Sequence, residues 1–421
     1  MAISWVASRR YIPFKRISRR CILSKSISTH PGKTQIHQPL YISPVDAEPL
    51  HRYRQGGYHP VTLGECLKSG RYKVLHKLGW GGYSTVDGIY VAVKISVAEI
   101  YCIGQKRELE TLKKLGFRYP RLKHTVHLLD NFDLKGPNGS HNCLVYELVG
   151  PTIPDTIDTH FSNGRLPGKL AKIIAKQSLV GLDGLHQMNI AHGDLHTRNL
   201  AFTVPCMNNA TEQQFTEMLG NPEIGHVRRS DGKDLEPGIP RYIVRPTLCW
   251  IHSWNSGQSI KIIDFGESFS DTTVPQTIHT PLPVRAPEVI FQDHIDYRVD
   301  LWCMGCMQLF ELFVGQPPFD TFLITPPILV EQMREMASDG LPARWHKIWE
   351  TMKTDVSEPT EGRVPNLQEW LEELYFDSPH SPDLTKEEIA RLGKIIGSLL
   401  LFEPSARASA KHVLDDPWFD E

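Results

Sequence analysis

Two short polar segments, each delivered by an apolar element, restrict what this chain can fold into. Ala191-His192-Gly193-Asp194-Leu195-His196-Thr197-Arg198-Asn199 sets an aspartate and an asparagine five residues apart. It follows a stretch, 170–187, whose apolar residues recur with helical spacing. Asp264-Phe265-Gly266 comes directly after the strand-like run Ile260-Lys261-Ile262-Ile263. One carboxylate to orient a hydroxyl (Asp194), with an asparagine and a second aspartate to hold magnesium (Asn199 and Asp264), is the least equipment that moves a phosphoryl group from ATP. A fold that unites these three side chains needs a cleft on which two separate loops converge.

The part of the chain before them supplies the other wall of such a cleft. The stretch 72–78 reads as a strand and runs into Leu78-Gly79-Trp80-Gly81-Gly82-Tyr83-Ser84-Thr85-Val86. Glycines there let the backbone lie close over phosphates with its N–H groups facing them. A glycine-rich hairpin alone is a common turn. It gains meaning from Val91-Ala92-Val93-Lys94, a strand whose lysine would hold the α- and β-phosphates. The stretch 106–115 reads as a helix, with Leu109, Leu112 and Leu115 at three-residue spacing. It offers Glu108 as ion-pair partner for Lys94, with Glu110 as the rival. Only seven residues separate Val86 from Lys94. Asp87-Gly88 marks a tight turn there, which would set Val86 and Ala92 against an adenine ring; a missing piece of the sequence is the competing explanation and would weaken the grip on nucleotide.

Composition excludes little but points one way. The 421 residues suffice for two lobes with separate cores, and a net charge of −2 gives no global reason to expect nucleic acid or a membrane surface as partner. No apolar run approaches the roughly eighteen residues that span a bilayer. Eight cysteines are scattered, as in a reducing compartment. Cys303-Met304-Gly305-Cys306 lacks a second Cys/His pair nearby and reads as buried structural thiols rather than a zinc site. The first 45 residues carry Arg9, Arg10, Lys15, Arg16, Arg19, Arg20 and Lys25 and no acid. That composition fits a mitochondrial presequence, or equally a basic tail with a nuclear-import patch, and the segment is excluded from the fold.

Taken in order, Gly79 and Gly81, Lys94, Glu108, Asp194, Asn199, Asp264-Phe265-Gly266, Ala286-Pro287-Glu288, Asp300-Leu301-Trp302-Cys303-Met304-Gly305 and Arg407 resemble the motif series of eukaryotic protein kinases. The likeness runs over about 71–419. It implies an α+β, bilobal fold: a basic leader over 1–50, a small β-rich lobe with one main helix over 51–148, and a larger, mainly helical lobe over 149–421. It implies ATP and Mg2+ as cofactors. Asp194 would accept or orient the substrate hydroxyl proton, Lys94 would pair with Glu108, and Asn199 and Asp264 would bind the metal. Leu78, Gly79, Gly81, Val86, Ala92 and Lys94 would line the nucleotide. Glu147 and Leu148 would form the hinge, whose backbone meets the adenine edge, with Tyr146 guarding the pocket behind. Glu288 would pair with Arg407 to brace the large lobe, and Asp300 would anchor the catalytic loop.

Within the kinases, the chain is most similar to the SR-protein kinase family. Arg285 before Ala286-Pro287-Glu288, the glycine loop from Leu78 to Val86, Gly193, and the 65-residue step from Asn199 to Asp264 carry that likeness. It implies transfer to serine in Arg/Ser-rich proteins, a link to RNA splicing, and a monomer with neither direct nucleic-acid contact nor a membrane span. It places the protein in cytoplasm and nucleus, with mitochondria as the alternative from the leader. The polar insertion at about 204–259 reads as a spacer inside the large lobe. The stretch 354–388 holds ten acids against Arg363 and Lys386. It reads either as a solvated face or as a docking surface for a basic substrate.

Three departures bear on catalysis. Gly193 replaces the arginine that receives a phosphorylated activation loop, so gating by loop phosphorylation is not expected. His196 stands where a lysine steadies the γ-phosphate, and a neutral imidazole brings no fixed charge; Arg198 would supply some if it points inward. Pro281 occupies the place of the threonine that bonds this lysine, with Thr280 one position out of register. A pseudokinase is therefore the alternative. A small-molecule phosphotransferase is a third reading, since the 192–199 loop also resembles that of aminoglycoside and choline kinases; Ala286-Pro287-Glu288, Asp300 and Arg407 argue against it.

Overall fold

The computed structural model describes residues 39–79, 82–86, 89–98, 103–162, 164–204, 210–247, 259–319, 324–353, 365–376 and 382–420. The basic leader before residue 39 and Gly81 lie outside them, as do the acids at 355, 358, 361 and 377.

Alternation builds the small lobe. Its antiparallel sheet holds, in spatial order, Cys66–Leu67, Tyr72–Lys77, Gly82–Val86, Ile89–Ile95, Gly139–Glu147 and Leu128–Gly136. Val91, Val93 and Ile95 point to one face and bury with Val74, Cys143 and Val145, where Tyr72 stacks on Phe132 at 5.6 Å. Ala92 points the other way, against the larger core. The short hairpin closes in the register Val86↔Ile89 and Tyr83↔Ala92, which leaves only residues 87 and 88 for the connection. The main helix, Ile103–Gly116, buries Leu112 and Leu115.

Chain continuity through Glu147 and Leu148 leads to the strand Val149–Thr152, which pairs with Leu200–Thr203; that strand in turn pairs with Ile260–Ile262. The helix Gly168–His186 lies against this sheet and buries Leu170, Ile174, Leu179, Leu182 and Leu185. Deepest of all is Val299–Cys303, continued by a widened π-type stretch, Met304–Glu311, and by Leu312–Val314. Apolar residues ring this segment, which is why it lies buried in the lobe. Cys303 and Cys306 are buried there, and burial pushes both thiols well up, as structural thiols require.

The insertion departs from the expectation of a spacer inside the large lobe. It leaves at Thr203 and returns at Ser259, yet its described part packs on the small lobe. A helix, Glu212–Leu219, opened by a Thr211 capping box, puts Phe215 on the Tyr90 ring at 3.7 Å between centroids. Tyr90 also donates to the Ala210 carbonyl at 2.9 Å, Lys73 pairs with Glu212 at 2.7 Å, and Thr247 donates its N–H to Lys77. Further along, Arg228–Arg229 pairs with Tyr41–Ile42, and Val227 and Ile243 bury with Tyr53, Tyr58 and Val97. Few apolar residues do this work, and they are scattered among polar ones, so composition hid them. Replacing Phe215 with alanine should remove roughly 3 kcal/mol of packing. Amide exchange in Glu212–Leu219 should then quicken while Gly168–His186 keeps its protection. Equal exchange of the insertion helix in both proteins would count against this contact.

Candidate active site

Asp300 builds the loop that carries Asp194. Fully buried, its carboxylate accepts the N–H groups of His192 at 2.7 Å and Gly193 at 2.9 Å, with His186 Nε2 at 3.1 Å. His192 Nε2 donates to the Ile263 carbonyl at 3.0 Å, and its ring meets Phe265 edge-on. The Ile263 N–H in turn donates to the Asn199 carbonyl. The two loops are thus stitched together, and Asp264 follows at φ +60, a backbone conformation that a non-glycine residue adopts at a cost.

Gly193 has a local cause that its reading as a missing arginine did not contain. Its φ is +78, and a Cβ there would sit 2.5 Å from the Glu267 carbonyl oxygen. Gly193→Arg should therefore lower stability by roughly 1–3 kcal/mol. A urea midpoint unchanged at constant slope would contradict this.

Across the cleft, Lys94 Nζ lies 2.6 Å from Glu108 Oε1 and 3.0 Å from Asp264 Oδ1. Glu108 fills the place for which Glu110 competed; Glu110 is exposed. Burial works against the Lys94 charge, but the Asp264 and Glu108 carboxylates outweigh it and hold its pKa above the usual lysine value. Burial pushes the Glu108 carboxyl up, opposed by Lys94. Tyr146 reaches the same oxygen, its hydroxyl donating to Glu108 at 3.0 Å. Sequence placed Tyr146 behind the pocket but gave no sign of this bond.

Of the residues assigned to the nucleotide, Gly81 lies outside the described residues, as does the Val86 side chain. Gly79 has open space around it. Leu78 and Leu148 both pack on the cluster of Leu75, Tyr90, Phe215 and Leu219, so the insertion helix backs two of the side chains expected to line the nucleotide. The Glu147 carboxylate is held by Lys261 at 2.7 Å and by His127, and its N–H donates to the His127 carbonyl.

Asn199 donates to the Asp194 carbonyl at 2.9 Å. His196 is buried, its Nε2 3.5 Å from Asp194 Oδ2 and 3.3 Å from the Asn199 amide nitrogen. Arg198 is exposed and turns no charge inward. Thr280 donates to the Gly193 carbonyl at 3.2 Å rather than to Asp194 or His196. Arg285, read only as a group marker, grips the Thr280 carbonyl through two nitrogens at 2.7 and 3.1 Å. Glu267 pairs with His279 at 3.1 Å, and Glu311, from the widened helical stretch, accepts the Thr197 hydroxyl. No sequence signal marked these last two. Metal fit can be tested on the oxygens. Asp194 Oδ1 is buried without a partner among the described residues, and Asn199, with its nitrogen committed, is left with an amide oxygen. The Asn199 amide oxygen and the Asp264 carboxylate are hard oxygen donors of the kind that a divalent cation such as Mg2+ takes.

The acidic stretch is less free than its composition suggested. Glu369 and Glu388 cap helices, Glu372 accepts from Gln368, and Asp383 accepts the N–H groups of Gly168 and Lys169 and the Tyr375 hydroxyl. Glu373 and Glu387 remain exposed, with no ion pair among the described residues.

A lysine held between two carboxylates under a glycine-bearing sheet, facing an Asp–Asn loop, is the arrangement of a protein kinase. The protein kinase domain model matches residues 251–419. Serine/threonine-protein kinase SRPK of Physarum polycephalum is 27% identical over 418 residues, covering 87% of this chain and 89% of that protein. Protein kinase dsk1 of Schizosaccharomyces pombe is 38% identical over 164 residues, covering 36% of this chain and 30% of its own. Dual specificity protein kinase CLK1 of Homo sapiens is 27% identical, covering 86% and 68%. The chain is a serine/threonine protein kinase with the bilobal α+β fold, and ATP is its phosphoryl donor. Within that class it is SRPK-like.

Proposed function

We propose that this kinase transfers the ATP γ-phosphate to serine in basic, Arg/Ser-rich proteins, with Mg2+, and without gating by activation-loop phosphorylation. The observation that carries the reading is the Lys94–Glu108–Asp264 set, already assembled with helix Ile103–Gly116 drawn in. Lys94 orients the α- and β-phosphates, and Asp194 orients the serine hydroxyl and takes its proton. Asn199 and Asp264 would hold Mg2+, which neutralises charge on the phosphates when bound.

Two features support independence from loop phosphorylation. Gly193 offers no cationic receiver, and Arg285 fixes the Thr280 carbonyl by hydrogen bonds that need no phosphate. Preference for a basic substrate draws on Glu373 and Glu387, a smaller acidic surface than the composition of 354–388 implied. The test is radiolabel transfer from ATP to an Arg-Ser peptide and to a peptide with Arg replaced by Glu. Equal labelling of both would remove the substrate assignment while leaving the kinase.

A pseudokinase is the second reading, and His196 is the observation that favours it. Its ring is buried beside Asp194, and Nδ1 has no partner among the described residues. His196→Lys should leave transfer intact or raise it, because a fixed charge returns to the γ-phosphate site. A large fall in kcat would show that the imidazole itself is required.

A further inference from the structure

The loop joining Ile103–Gly116 to Leu128–Gly136 carries features the kinase reaction leaves unused. Over 111–129 the chain holds Lys113, Lys114, Arg118, Arg121 and Lys123 and not one acid. Phe117 is 88% and Tyr119 96% exposed, more than any other large hydrophobic among the described residues. Arg118, between them, turns the opposite way. Its guanidinium donates to the Gly184 carbonyl at 2.9 Å and to Gln187 at 3.2 Å, and Lys114 reaches the Met188 carbonyl. The loop is thereby pinned to the end of helix Gly168–His186 with both rings facing out. Lys113, Arg121 and Lys123 are exposed and make no ion pair among the described residues.

We propose that this surface binds single-stranded nucleic acid. Bases stack on Phe117 and Tyr119, and phosphates meet Lys113, Arg121 and Lys123. The Cα atoms of residues two apart stand at most about 7 Å from each other, which lets the two rings engage neighbouring nucleotides of one strand. A lipid surface fits less well, because the loop's aliphatic side chains are held inward, Leu122 against Gly184 and Val126 in the core, and leave only two rings to insert. An acidic protein fits less well too, because the rings stand clear of neighbours and frame no pocket for an anchoring side chain. The net charge of −2 does not oppose this, since the charge that matters is local.

The test is anisotropy of a labelled 12-mer oligouridine with the full chain, against Phe117→Ala/Tyr119→Ala and Lys113→Ala/Arg121→Ala/Lys123→Ala. The basic leader is common to all three proteins, so differences report the loop. The aromatic pair should raise Kd at least tenfold. The triple variant should flatten the log–log salt slope by about 2, three phosphate contacts at roughly 0.7 each. Peptide phosphorylation by both variants should match wild type, which shows that they are folded. Oligouridine binding that ignores the aromatic pair would overturn the proposal. So would a preference of wild type for phosphatidylserine vesicles or polyglutamate over oligouridine.

Discussion

Asp194→Asn should give a folded protein whose phosphoryl transfer is slower by roughly 10²- to 10⁴-fold, the usual contribution of a positioned acid–base group. The substitution is nearly isosteric, and the main-chain bonds that hold the loop do not involve the altered atoms. The His192 and Gly193 N–H groups still reach Asp300, and Asn199 still reaches the residue 194 carbonyl. Single-turnover transfer from radiolabelled ATP reads the chemical step, and the melting temperature reads the fold. Equal label from wild type and variant would strip Asp194 of its role. Loss of ATP affinity along with rate would point instead to a collapsed cleft.

Arg407→Ala should cost about 3–5 kcal/mol of stability, the range for leaving a buried charge without its partner. Arg407 and Glu288 form a two-pronged pair at 2.7 Å on each prong, with both side chains almost entirely out of water. Arg407 also donates to the carbonyls of Leu401 and Arg298 and lies over the Trp302 ring at 5.3 Å. Truncation strands the Glu288 carboxylate in the core and takes a donor away from the carbonyls of Leu401, Arg298 and Phe402. Urea unfolding measures the loss, and a change below about 1 kcal/mol would mean that solvent reaches the pair. Arg407→Met with Glu288→Leu should be milder than the single change, because no uncompensated charge then remains.

Residues whose chemistry is stated by type and spacing were legible without coordinates. Lys94, Glu108, Asp194, Asn199, Asp264 and Asp300 sit in short segments whose neighbours fix their local structure, and the fold brings them together. What escaped notice depends on long-range contact. Nothing in Tyr146 announces a bond to Glu108, nor in Glu267 a pair with His279. Gly193 looked like a lost arginine because type alone does not show a positive φ. The extra width of Met304–Glu311 is equally silent in a mostly apolar helical run. Acid counting over 354–388 misled for a related reason: composition cannot separate carboxylates that cap helices from those that face solvent.

The insertion has a consequence for how the chain is made. Tyr53, Tyr58, Tyr90 and Val97 emerge early in synthesis, but Phe215, Val227 and Ile243, which cover them, come far later. At 5–20 residues per second, roughly six to forty seconds pass before the nascent small lobe meets its cover. During that interval an apolar flank stands open on the ribosome, so this kinase should depend on holdase chaperones more heavily than one whose lobe closes from its own contiguous sequence.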